Sequence, residues 1–289
     1  MAKIAIVTDS NSGITQKQAQ EMGVYVVPMP FDIDGETYFE DISLSQEEFY
    51  IKLNGDGNIS TAQPAPDSFM NMWRELLKTH DAVIYIPMSS GLSGSCQTAM
   101  MFASEEEFEG KVFVIDNQRI SVTQRQAVLD AKEMAGKGME PEAIAGFLMD
   151  TKFDSSIYIM VDTLKYLKKG GRVTPAAAAL GTILKLKPVL QIQGEKLDAF
   201  AKARTISQAK NIMINAIKND VEKRFGGDVN KMHLQIAHTN NLREAMNFKE
   251  EVLKAFPEYT GEIYVDHLSL SVSCHIGAGS LALACTKRM

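Results

Sequence analysis

Along the first half of the chain, short runs of β-branched and apolar residues alternate with longer stretches whose apolar positions recur at helical spacing. Strands are predicted over 3–8, 82–87 and 111–116, and helices over 15–22, 45–53, 66–79, 92–108, 122–137 and 141–151. This alternation is that of βαβ units around a mostly parallel sheet. Thr15, Ser45 and Asp67, or the proline before it, start helices by capping or by a preset φ. Asp34-Gly35, inside the apolar alternation PFDIDGETYF, signals a hairpin.

From about residue 155 the pattern changes. A strand over 156–161, a short helix after Asp162, an alanine-rich helix over 175–184 and strands over 188–193 and 196–203 come first. A long helix over 205–225, a strand over 232–238, a helix over 242–256 and closing strands over 262–265 and 279–285 follow. The expected fold is α/β and two-domain. A parallel-sheet α/β N-terminal domain, residues 1–155, packs on an α+β C-terminal domain, residues 156–289, with a ligand cleft between. No Pro/Gly-rich linker marks the boundary, as in closely packed domains.

Composition narrows the function classes. The 289 residues are 45% hydrophobic, enough for a core without metal or disulfide staples. A formal charge of −6 argues against a general nucleic-acid binder, which needs a basic face. Cys96, Cys274 and Cys285 are too few and too widely spaced for a disulfide framework or a four-thiolate zinc site, and read as reduced thiols; no metal or cofactor is expected. The apolar stretch Ile4 to Val7 falls short of a signal peptide, and no apolar run approaches the roughly 20 residues of a membrane helix. The expectation is a soluble, cytoplasmic protein whose contact with lipid is by binding or transient membrane contact, not spanning. The 16 methionines beside one tryptophan fill core gaps or line an adaptable apolar site, and composition does not choose.

Five segments carry candidate chemistry. In VTDSNSGI, 7–14, a strand ends in small polar residues where ligands sit on open α/β sheets, although Asp9, Ser10 and Asn11 also suit an Asx turn. In ISTAQPAPDSF, 59–69, Pro64 and Pro66 stiffen a loop that presents Ser60, Thr61 and Gln63 at a helix entrance. IPMSSGLSGSCQTA, 86–99, is an anion cradle: Gly91 and Gly94 permit close backbone approach, while Ser89, Ser90, Ser93 and Ser95 offer hydroxyls beside helix N–H groups. It lacks the Walker lysine and comes near a nucleophile elbow, with Ser95 at the second glycine's place. In DTLKYLKKGGRVTP, 162–175, Lys165, Lys168 and Lys169 form a basic cluster, and Gly170-Gly171 set Arg172 apart from them. In SVSCHIGAGSLALAC, 271–285, His275 stands at a glycine-rich turn.

KIAIVTDS, STAQPAP, PMSSGLSG, VIDNQRIS at 114–121, DTLKYLKKGGRV and HIGAG occur in this order across nearly the whole chain. Together they resemble the DegV family, which is similar to the fatty-acid-binding subunits of bacterial fatty acid kinase. The resemblance implies a non-catalytic carrier that holds a long-chain fatty acid between two domains. It presents the carboxyl group to a separate ATP-dependent kinase subunit for acyl phosphate formation. Thr61 and Ser93 would contact the carboxylate, His275 would assist, and Arg172 would lie near the kinase-facing mouth; Ser60, Ser90 and Gly94, from the same two turns, are expected to bind the ligand beside them. Burying about 14 methylenes at roughly 0.8 kcal/mol each gives an upper limit near 11 kcal/mol before association costs, so affinity comes from the tail. Hydroxyl donors then fix the headgroup, which would be costly to bury unpaired.

Two places depart from the family pattern. Thr123, Gln124, Arg125 and Gln126 stand where small residues and glycines are usual, which bears on tunnel shape, and HIGAG replaces HTGPG. Met70, Met72, Met88, Met100 and Met101 flank the two headgroup motifs, with core packing as their simpler role. The rival readings are an acyl hydrolase with Ser93 as nucleophile and His275 as base, and a carrier of another apolar carboxylic acid.

Overall fold

The structure, a computed structural model, describes residues 2–55, 57–164, 166–167, 171–180, 186–193 and 196–289. Its first sheet is parallel, in the order β2-β1-β6-β7, from β1 (Ile4–Asp9), β2 (Tyr25–Val27), β6 (Ala82–Ile86) and β7 (Val112–Val114). Strands β1 and β6 are apolar on both faces, as a covered parallel sheet requires. On one side, Phe69 and Trp73 of α3 (Pro66–Leu77) pack with Tyr85 and Phe108. On the other, Ile6, Ile84 and Ile86 meet Ala127, Val128, Ala131 and Met134 of α5 (Ser121–Gly136).

The second sheet has six strands in the order β10-β9-β8-β13-β11-β12. They are β8 (Ser155–Met160), β9 (Lys187–Ile192), β10 (Asp198–Ala203), β11 (Met232–His238), β12 (Tyr264–His267) and β13 (Leu281–Lys287). All neighbours are antiparallel except β11 and β12. Helices α8 (Ile206–Lys223) and α9 (Leu242–Ala255) cover one face, where Met213, Ile217 and Phe248 pack against Leu234, Ile236 and Leu283. The opposite face carries Ile157, Ile159, Leu190, Ile192 and Ala282, which cluster with Ile120, Val122, Met88 and Leu92 from the first half. Helix α5 thus serves both sheets, and the Gln235 amide of β11 donates to its Val122 carbonyl at 3.0 Å.

A third sheet, β4-β3-β5, is an excursion from the first half. The hairpin of β3 (Pro30–Ile33) and β4 (Glu36–Phe39) turns at Asp34-Gly35, both at positive φ as the Asp-Gly pair predicts. Strand β5 (Ile59–Thr61) pairs antiparallel with β3, so 59–61 is a strand and not a loop. Phe31, Phe49 and Leu53 cluster with Leu270 and Cys274 of α10 (Leu270–Ile276), so the excursion packs on a segment from the far end of the chain.

Among the described residues the other helices are α1 (Gln16–Met22), α2 (Gln46–Leu53), α4 (Ser95–Ala103), α6 (Pro141–Asp150) and α7 (Pro175–Leu180). Thr15 and Ser45 form capping boxes on α1 and α2. Helix α4 begins three residues later than the pattern predicts, because Leu92 and Ser93 turn back to the Ser89 carbonyl. Strand β13 begins at Leu281 and not at Gly279, which sits at φ +88°. The end of the alanine-rich helix, 181–184, lies outside the described residues, as do Lys165, Lys168, Lys169 and Gly170.

The polar run 123–126 has structural work within and around α5. Gln124, fully buried, donates to the Asp9 carboxylate at 3.1 Å and lies as close to Thr8 Oγ1 and the Ile86 carbonyl. Arg125 stacks on the Tyr264 ring, and Gln126 donates to Asp130. Replacing Gln124 by alanine removes a donor from a buried carboxylate and opens a cavity. The expected loss is about 2 kcal/mol, read as a fall of several degrees in the thermal midpoint.

Candidate functional site

Five of the seven site residues expected from sequence come together. Thr61, Ser93, Gly94, Arg172 and His275 line one cavity of about 230 Å³. The rest of its wall is mainly apolar: Met29, Met88, Leu92, Ile120, Ile157, Ile159 and Ile192 are among its lining residues. These belong to the cluster on the inner face of the second sheet, which turns after β2 and β6 and the start of α5 cover, so the cavity lies where the two halves meet. Ser60 and Ser90 do not line it. Ser60 is exposed on β5, and the Ser90 N–H donates to Asp116 Oδ1 at 3.1 Å, tying the β6 turn to the loop after β7.

Each polar group reaches the cavity from the end of an element. Thr61 closes β5, and its Oγ1 shares a 2.8 Å hydrogen bond with His275 Nε2 across 214 residues of sequence. His275 sits in the last turn of α10, a helix absent from the predicted elements because Ser and Cys dominate SLSVSCHI. Its start is legible afterwards: Ser269 caps it by accepting from Val272 N–H. Gly277 ends it at φ +73°, where a Cβ would stand 2.7 Å from the Tyr166 ring, so glycine is required twice over.

Ser93 and Gly94 lie in the turn before α4, and Ser93 Oγ is 2.9 Å from Ser95 Oγ. The imidazole therefore pairs with Thr61 and the serine with another serine, which is not the nucleophile–base contact of a hydrolase. Burial first, and the Arg172 charge second, hold the His275 pKa down to about 4, so the ring is neutral at pH 7 and fit for hydrogen bonding, not charge pairing.

Asn11, in the strand-end segment 7–14 that suits either a ligand or an Asx turn, lines the cavity, and so does Ser271, a serine of the His275 segment that no local signal sets apart. Asn11, 1% exposed, accepts from Ser269 Oγ at 2.9 Å and Ser271 Oγ at 2.5 Å through Oδ1, and donates to Met88 Sδ through Nδ2. Beside it the buried Asp9 carboxylate accepts from the N–H groups of Asn11 and Met88 and from Gln124, while burial raises its pKa. Of the flanking methionines, Met88 lines the cavity. Met70 and Met72 pack with the aromatic core, and Met100 and Met101 are exposed.

Helix α10 is gripped along its length by the excursion. Glu40 accepts from the Leu270 N–H at 2.9 Å, Tyr50 and Ser273 hydroxyls meet at 2.9 Å, and Thr61 holds His275. Gln46 also donates to Glu40. Among the described residues no group of acidic, histidine and cysteine side chains is arranged to hold a metal, and no helix is long and apolar enough to cross a membrane.

The profile of the DegV family matches residues 3–288. The chain is 30% identical to Protein DegV of Bacillus subtilis over 283 residues, 97% of this chain and 98% of that one. A solved structure of a fatty-acid-binding DegV family protein from Thermus thermophilus superposes with a TM-score of 0.89 at 30% identity, covering 99% of both chains. The crystal structure of DegV, a fatty acid binding protein from Bacillus subtilis, gives 0.87 at 29% identity over the full length of both.

Glu40 makes the α10 grip sensitive to pH. Burial is the main cause that raises its carboxyl from 4.5 to about 8. The folded pKa exceeds the unfolded one, so this group's contribution to stability is complete below pH 4.5 and is lost as pH rises towards 8. Glu40→Gln removes the charge, and Gln46, whose Oε1 has no partner, can turn its amide to pair with the new one. Thermal melts should show the variant a few degrees more stable than wild type near pH 8, with the advantage vanishing near pH 4.5.

Proposed function

Since the chain belongs to the DegV family, we propose that it binds a long-chain fatty acid in the cavity between its two halves. The tail lies against Met29, Met88, Ile157, Ile159 and Ile192, and the carboxyl group meets Thr61, Ser93 and the Gly94 backbone. The observation that carries this reading is the convergence of Thr61, Ser93, Gly94 and His275 on one apolar cavity. Full-length likeness to two fatty-acid-binding members of the family at 29–30% identity supports it. The division of labour follows from physical chemistry: the apolar wall supplies affinity, and the hydroxyls fix the headgroup's position.

In this reading the chain is a carrier and not an enzyme by itself, works in the cytoplasm, and divides near residue 155 into the two domains that enclose the ligand. Its carboxyl group is presented to a separate ATP-dependent kinase subunit, with Arg172 at the mouth as a contact for that partner. The Thr61–His275 pairing disfavours the hydrolase alternative, because a histidine held by threonine is not positioned as the base of Ser93.

Protein purified from a bacterial host and denatured should release a fatty acid detectable by mass spectrometry, and the mass separates it from other apolar acids. The Thr61→Ala, Ser93→Ala double variant should retain labelled palmitate or oleate about tenfold less well. A ligand-free protein that also fails to take up either acid overturns the reading.

A further inference from the structure

Ser271 gives the cavity wall a polar atom that an alkyl chain does not use. It is 7% exposed and lines the cavity together with Met29, Met88, Leu268 and Val272. Its own hydrogen is committed. The Asn11 amide points its NH₂ toward Met88 Sδ and the Asp9 carboxylate, both acceptors, so Oδ1 faces the two serines and takes a hydrogen from each. With both hydroxyl hydrogens on Asn11 Oδ1, the 3.3 Å contact between the Ser269 and Ser271 hydroxyls carries none, and Ser271 Oγ shows the cavity lone pairs and no proton. The group that complements it is an O–H donor on the ligand, since an ammonium would bring an unpaired charge against an apolar wall.

Position along the chain follows from the helix. Ser271 precedes His275 by four residues on α10, which places the two on one face about 6 Å apart along the axis. A hydroxyl that meets Ser271 while the carboxyl group meets Thr61 and Ser93 belongs near the carboxyl end of the acid. Resting on the fatty-acid reading above, we infer that this site is built for acyl chains hydroxylated near the carboxyl end, of which a 3-hydroxyacyl chain is the test case, with Ser271 Oγ accepting from the ligand's hydroxyl. Asn11 is a positioning residue that fixes the direction of that bond.

The test is displacement of a bound fluorescent fatty acid by palmitate, 3-hydroxypalmitate and 12-hydroxystearate, on the full-length protein. In wild type, 3-hydroxypalmitate should compete about fivefold better than palmitate, the span of one neutral hydrogen bond, and 12-hydroxystearate should show no such gain. In Ser271→Ala the two C16 acids should become equal. Equal competition in wild type, or a preference that survives Ser271→Ala, overturns the inference while leaving fatty-acid binding intact. The wild-type ratio decides the matter by itself should that variant not fold. Failure of all three acids to compete overturns the fatty-acid reading and this inference with it.

Discussion

The walls of the cavity meet at one buried carboxylate. Asp9 ends β1 at the edge of the parallel sheet where ligands of open α/β folds sit, and it is fully enclosed there. A carboxylate so placed must be satisfied by donors from every side. The donors are the Met88 N–H after β6, the Asn11 N–H in its own turn and the Gln124 amide from α5. Asn11 then passes the network to Ser269 and Ser271 at the start of α10. Satisfying this one group brings together the strand ends, the central helix and the wall helix, and leaves an apolar space among them.

The same arrangement explains why the cavity can be apolar without collapsing. Its lining is the inner face of the six-stranded sheet on one side and, on the other, turns that follow strands of the parallel sheet, and α5 buries side chains against both sheets. Thr61, Ser93 and His275, at the ends of their elements, have partners in the protein already. In the proposed site a headgroup would meet groups that are already hydrogen-bonded, so that its entry would exchange partners.

Much of the scaffold was legible because its signals are local. The Asp34-Gly35 hairpin, the 232–238 strand and the capped helices at Thr15 and Ser45 appear where the pattern puts them. Of the site residues expected from the segments that the sequence marks as candidate chemistry, Thr61, Ser93, Gly94, Arg172 and His275 line one cavity. Less legible were features decided by tertiary contact. Strand β5 exists because 59–61 pairs with β3, and α10 exists because Leu270 and Cys274 bury against Phe31 and Phe49 in spite of a serine-rich sequence. Residues 123–126 depart from the family pattern as if to reshape a tunnel. In the fold they face the Asp9 network, Tyr264 and Asp130, so their polarity belongs to the framework.

The grip on α10 has a consequence for the order of assembly. A seven-residue helix has no stability of its own. The hydrogen bonds that tie it to the first half span most of the chain: Glu40 with Leu270, Tyr50 with Ser273, Thr61 with His275, and Asn11 with Ser269 and Ser271. Loop closure over such separations comes late in folding. The first sheet can form as its residues leave the ribosome, but the wall of the cavity waits for residues 269–276. The nascent chain therefore has no pocket to fill, and a ligand can be captured only once synthesis of that segment is complete.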